Sequence, residues 1–325
     1  MNRREFIGRS LSAAGLLLAG RLPFASAEDR ARVVLYRDTS LRNLQGAAKA
    51  AKLRQMTHNS VRSLTQAGSN QAAWQSLFSS ADTVAVKVNC MAGQLAPHVA
   101  VIDAIVEGLG WAGVPPDKVI VYDKEDPDLA AAGFPIRASG TDYRCYGTVG
   151  EHGPGYEDRF QTEGQTTFRL SKIITREASA IINVPVVRHH CFAGLTGALK
   201  NHFGSIHNPE DFHYFNCDPS VAEVNEALAI RSKQRLIVCD SRLVQYEHGP
   251  AFHPEYVVRY DAMFAALDPL ALDVKMGQLI DMARKKHDLP PLGELEFPPK
   301  HLQSAAERGL GVGDESRIDL IVHNA

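Results

Sequence analysis

The sequence predicts an α/β fold: a mostly parallel central sheet with helices on both faces and a β-hairpin insertion around residues 134–170. Three observations predict it. Short runs rich in β-branched residues alternate with stretches of helical spacing along most of the chain. TVAVKVN (83–89), HVAVIDAIVEGLGWAG (98–113) and KVIVYD (118–123) follow one another as strand, helix and strand, the order of a right-handed βαβ unit. AIINVPVV (180–187) is apolar almost without interruption, as a strand covered on both faces must be.

Taken in order, ARVVLYRD (31–38) reads as a first strand, and residues 41–79 read as helical with a polar bias. The βαβ unit comes next. Residues 134–170 then turn rich in Gly, Arg, Tyr and Thr, and RFQTEGQTTFRL (159–170) alternates around a Glu-Gly turn as a hairpin does. After AIINVPVV, the helix-like SVAEVNEALAIRSK (220–233) leads into the strand RLIVCD (235–240). Asp268-Pro269 is a good helix start, an acid in the N-cap position and proline in the first turn. The helix that follows has an apolar face at three-to-four spacing and basic residues at its end, where the helix dipole favours them. SAAERGLGVGD (304–314) ends a further helix at a glycine, and RIDLIVHN (317–324) closes the series as a strand. With no internal repeat and no low-complexity linker, residues 28–325 are expected to form one α/β domain.

The first 27 residues read as an export signal. MNRREFIGRSLSAAGLLLAGRLPFASA has a basic start, a moderately apolar stretch from Leu11 to Gly20 and a small-residue site at Ala25-Ser26-Ala27. The pair Arg3-Arg4, followed by Phe6 and Ile7, resembles a twin-arginine signal. The expectation is recognition by the twin-arginine export machinery, cleavage near Ala27 and a periplasmic protein. Cleavage there leaves 31 Lys plus Arg against 36 Asp plus Glu, an acidic balance that argues against a general nucleic-acid binder. The later apolar runs are strand-sized, so no stable membrane span is expected after cleavage.

Five cysteines, Cys90, Cys145, Cys191, Cys217 and Cys239, include no C-x-x-C pair, so no iron–sulfur cluster held by this chain's own cysteines is expected. The odd count leaves at least one thiol unpaired.

In open α/β sheets ligands bind beyond the carboxyl ends of the strands. The predicted strand ends carry Lys87 and Asn89, then Asp123, then His189 and His190, then Asp240. A lysine between Val86 and Val88 in an otherwise apolar strand calls for an anionic partner. The stretch VRHHCFAGLTGALKNHFG (187–204) then reads as a strand end, a turn relaxed by Gly194, and a short helix that Thr196 can cap and that ends at Gly204. Such a turn offers backbone N–H groups to an anion, with Gly197, Lys200 and Asn201 beside it. Imidazoles also suit transition metals, which makes His189, His190 and Asp123 a candidate ligand set, although no H-E-x-x-H spacing is present. Cys191 beside the histidine pair is a candidate soft ligand or nucleophile, and a small buried residue otherwise.

On VAVKVN, NVPVVRHHCFAGLTGALKNHFG, IVCDSR, ALDPLALDV and RGLGVGD, the chain resembles the family called domain of unknown function 362 over roughly residues 80–320. The resemblance implies an α/β domain and no particular reaction. Some relatives carry ferredoxin-type cysteine clusters, which this chain lacks. The block 189–204 also resembles the histidine- and glycine-rich segment of nickel-pincer-nucleotide lactate racemases. The expectation is an exported enzyme of redox or isomerase type that uses a divalent transition metal or a phosphate-bearing cofactor. Lys87, Asn89, Thr196, Gly197, Lys200 and Asn201 would hold the anion, His189 or His190 would bind metal or carry protons, and Asp123 and Asp240 would orient them. The alternative is a periplasmic protein that binds a small anionic ligand or a metal without turnover.

Overall fold

The structure, a computed structural model, describes residues 30–91 and 93–325; the expected export signal lies outside them. In chain order the strands are β1 (Ala31–Arg37), β2 (Val84–Lys87), β3 (Val119–Tyr122), β4 (Arg144–Cys145), β5 (Gln161–Glu163), β6 (Thr166–Phe168), β7 (Ala180–Asn183), β8 (Val186–His190), β9 (Gly194–Thr196), β10 (Gln234–Gln245), β11 (Val257–Ala266) and β12 (Ile318–Asn324). The helices are α1 (Gly46–Thr65), α2 (Asn70–Gln75), α3 (Val99–Trp111), α4 (Asp126–Ala131), α5 (Ala198–Asn201), α6 (Ser220–Glu226), α7 (Leu228–Arg231), α8 (Pro269–Lys286) and α9 (His301–Glu307).

Ten strands form one sheet, with the path β12-β1-β11-β10-β7-β2-β3-β4; β8 pairs with β10, and β9 with β8. Every pairing on the path is parallel except those of β11, which runs against both β1 and β10. β2, α3 and β3 form the expected βαβ unit, β2 and β3 being adjacent and parallel. Side chains alternate between the two faces, as the pleat requires. Val84, Val86, Val119, Val121 and Val238 pack beneath Leu53 and Met56 of α1, Trp74 of α2 and Ile102 of α3. Ala85, Ile120 and Ile181 face Leu199 of α5, Val221 of α6 and Ala305 of α9. Farther along the same second face, Leu35, Ile237 and Phe264 meet Leu272 and Met276 of α8. Helices therefore cover both faces.

Local chemistry adjusts several boundaries. The helical region 41–79 is two helices, because Gln66 enters the left-handed conformation (φ 55°) and Ser69 starts α2 by accepting from Ala72 N. The 134–170 insertion is narrower than expected: the antiparallel hairpin is β5–β6 only, turning at Gly164 (φ +58°), while β4 joins the main sheet beside β3. AIINVPVV is not one strand, since β7 stops at Asn183 and the chain re-enters the sheet as β8 along the far half of β10. Asp268 caps α8 as expected, its carboxylate accepting from Ala271 N at 2.9 Å. No helix among the described residues is long and apolar enough to cross a membrane.

Candidate functional site

β2, β8 and α5 converge on a cavity of about 180 Å³, lined among others by Lys87, Asn89, Asp123, Arg188, His190, Thr196, Lys200, Asn201 and His213. Lys87 and Ala85 share the face of β2 that looks toward α5, so the lysine emerges beneath that helix. It is 1% exposed. Its Nζ donates to Asp123 Oδ1 at 2.7 Å, to Val88 O at 2.5 Å and to Asn201 Oδ1 at 3.2 Å. Asp123 is the anionic partner that the sequence demanded. Its remaining capacity is used by backbone, Oδ1 accepting from Lys124 N and Oδ2 from Cys90 N. Gly204 passes directly over the pair: a Cβ there would lie 2.7 Å from Lys87 Nζ and 2.8 Å from Asp123 Oδ1.

The other two buried cations of the cavity hydrogen-bond to no carboxylate among the described residues. Arg188, 1% exposed, donates from Nη1 to Pro250 O and from Nη2 to Asn89 Oδ1, and its Nε has no partner. Burial lowers its pKa to about 10. Among the described residues the hydrogen-bond partner of Lys200 on α5 is neutral, Nζ lying 3.3 Å from His213 Nε2 and 4.6 Å above the Phe203 ring, while Glu210 of the same cavity acts on it through space. Burial first, then the neighbouring cation Arg188, push its pKa down to about 8. His190 Nδ1 accepts from Phe192 N at 3.1 Å, which leaves Nε2 to carry the proton of the neutral ring. Burial, with Lys200 next, holds the His190 pKa far below the ordinary value, and the same two causes bring His213 to about 4. The two rings sit 5.3 Å apart. Thr196 Oγ1 is buried in the same wall without a hydrogen bond.

Lys87, Asn89, Asp123, His190, Thr196, Lys200 and Asn201 are thus brought together, and His189, Gly197 and Asp240 are not among the lining residues. His189 follows the opposite side of β8; burial lowers its pKa to about 4, and the charges that act on it are Glu247, Arg284 and His248. Asp240 is not at a strand end, because β10 continues to Gln245. It accepts from His98 N, at the start of α3, and from Arg242. The candidate metal set is not assembled: His190 lines the cavity and His189 does not, and Asp123 is engaged by Lys87 and two backbone N–H groups. Among the described residues no group of three His, Cys, Asp or Glu side chains is arranged to hold a metal.

The backbone cradle at α5 also differs from expectation. Gly197, not Thr196, is the N-cap, and the carboxylate of Asp273 from α8 accepts from Ala198 N and Leu199 N. A Cβ on Gly197 would lie 2.3 Å from that carboxylate. The free N–H groups expected to meet a ligand already serve an internal one. The five cysteines are unpaired, and Cys191 alone among them is exposed.

Sequence reasoning missed Arg188 and considered His213 only as one member of a histidine cluster that could suit a metal, not as a partner of Lys200. The signal for Arg188 was the one used for Lys87, a cation inside an apolar strand. His213 comes from the 3-10 segment Pro209–Phe215, 13 residues beyond Lys200, and the sequence marked it only as one of five histidines, His189, His190, His202, His207 and His213, clustered within 25 residues.

No curated protein matches the sequence. A structural-genomics crystal structure of a protein from Thermotoga maritima is similar at 10% identity and a TM-score of 0.44, over 76% of this chain and 61% of that one; the chain thus spans about 61% of that protein's length. A family model matches residues 84–277, which run from the first residue of β2 into α8 and include every cavity residue named above. The chain therefore belongs to the family described as Domain of unknown function (DUF362).

Proposed function

We propose that the protein is an exported enzyme that holds the anionic group of a small substrate, or of a phosphate-bearing cofactor, between Arg188 and Lys200. One observation carries this reading. Two buried cations that hydrogen-bond to no carboxylate among the described residues line one cavity, beside a Thr196 hydroxyl with no hydrogen bond among those residues. Buried charge is costly unless compensated, and an anionic ligand supplies the compensation. Lys87 is neutralised by Asp123 and acts as the floor of the site. His190 and His213 are neutral hydrogen-bonding groups at the same wall, and His213, 3.3 Å from Lys200 Nζ, is placed to relay a proton beside the bound anion, the chemistry of an isomerase. Export rests on the Arg3-Arg4 segment and the Ala25-Ser26-Ala27 site.

Melting-temperature measurements test the ligand. Inorganic phosphate is expected to raise the midpoint of the wild-type protein and to leave Arg188→Met unmoved. An equal response of both proteins sinks the assignment. For export, Arg3→Lys with Arg4→Lys is expected to retain the full-length precursor in the cytoplasm; unchanged release of the mature chain contradicts the twin-arginine route.

A further inference from the structure

The two lysines of the cavity are chemically different. Lys87 is fixed by three oxygen acceptors, a carboxylate, a carbonyl and an amide, which occupy its three donor positions. Among the described residues Lys200 has a single hydrogen-bond partner, a neutral imidazole, and an aromatic ring beneath it. A buried lysine in that setting sheds its proton readily and becomes a nucleophile. Arg188 shares its wall and has an unpartnered Nε, which suits a carboxylate. The cavity, at about 180 Å³, is about six water volumes, room for a compound of three or four carbons.

We propose that Lys200 forms an imine with a small 2-oxo carboxylate, whose carboxylate Arg188 holds and whose proton transfers His213 mediates. The inference rests on the anion-binding reading above. In the first step the unprotonated Nζ attacks the C2 carbonyl carbon. The N–C bond forms, the carbonyl π pair passes to oxygen, and that oxygen takes the proton which His213 removes from nitrogen. In the second step the hydroxyl leaves as water with a second nitrogen-derived proton, again through His213, and the C=N bond forms. One water is released and no electrons are exchanged with an outside reagent. The amine fraction this requires is present at mild pH, since Lys200 is pushed down to about 8.

Trapping tests it. The folded full-length chain is incubated with pyruvate and sodium cyanoborohydride, and digested peptides are analysed by mass spectrometry. A reduced pyruvyl adduct is expected on Lys200 and not on Lys87, and it is expected to be lost in Lys200→Arg, suppressed by inorganic phosphate and absent when lactate replaces pyruvate. Labelling is expected to rise through pH 8 and not only above 10. Arg188→Met is expected to lose labelling by pyruvate while keeping labelling by acetaldehyde, which has no carboxylate; this separates loss of the binding group from loss of the fold. Adducts scattered over surface lysines, or placed on Lys87, overturn the proposal. If phosphate still raises the melting temperature and Lys200 is not labelled, the imine falls and the anion site stands. If phosphate has no effect either, both fall.

Discussion

Lys87 and Lys200 respond to substitution in opposite directions, because one buried cation is compensated and the other is not. Lys87→Met leaves Asp123 buried without its counter-ion, and is expected to cost about 3–5 kcal/mol by urea denaturation, with part of the loss recovered in Lys87→Met/Asp123→Asn. Lys200 has a folded-state pKa of about 8 against an ordinary 10.5, so between those values the unfolded chain binds more protons. Its charged form thus weakens the fold below pH 8, and the penalty fades as pH rises toward 10.5. Lys200→Met is expected to stabilise the ligand-free protein at pH 7 by about 1–3 kcal/mol, a gain that shrinks across pH 8–10.5. A variant less stable than the wild type at pH 7 contradicts this reading. At this scale the sequence was partly legible. A lysine between two valines announced its acid, and Asp123 is that acid. His189 and His190 looked equivalent in the sequence, yet the pleat of β8 sends only His190 to the cavity.

Among the elements, α5 depends most on its surroundings. It has four residues and no side-chain cap of its own, and its first N–H groups are held by Asp273 from α8. Burial raises the Asp273 pKa to about 7 against the lowering effect of those two N–H groups, and raises Asp268 to about 6. A folded pKa above the unfolded value means that the stability contributed is present below about pH 4 and is lost as pH rises through 7. Asp273→Asn is expected to flatten the pH dependence of the urea midpoint between pH 4 and 7; an unchanged slope excludes Asp273 as its source. Gly197→Ala drives a Cβ into that carboxylate, and is expected to cost about 1–3 kcal/mol and to weaken phosphate binding through displacement of Lys200. None of this was visible locally, because 75 residues separate Ala198 from the acid that caps it. Strand and helix periods are local, so β1, β2, β3, α3, α8 and β12 were read nearly at their observed limits. The division of AIINVPVV was not, since a run of apolar residues does not reveal that its two halves meet different stretches of β10.

For the whole molecule, the α/β class followed from the alternation of strand and helix patterns, and the sheet has that form, parallel throughout its path but for β11. The convergence of polar groups at the carboxyl edge was partly right for the same reason. Lys87, Asp123 and His190 meet there, whereas Asp240 lies mid-strand where β10 runs on past its expected end. The antiparallel course of β11 also decides when the sheet can be finished. β1 has two neighbours, β11 and β12, and neither begins before Val257. β1, the first strand among the described residues, must therefore wait for its sheet partners until Val257 and the residues after it have been made. The segment proposed as an export signal precedes β1 directly in the sequence, so the residues that would address the protein to a translocase adjoin a strand whose partners are made late. Shortening the chain from Ile318 onward removes β12 and leaves β1 with β11 as its neighbour, and is expected to lower the urea midpoint and, if residues 1–27 are an export signal, to reduce export of the precursor as well.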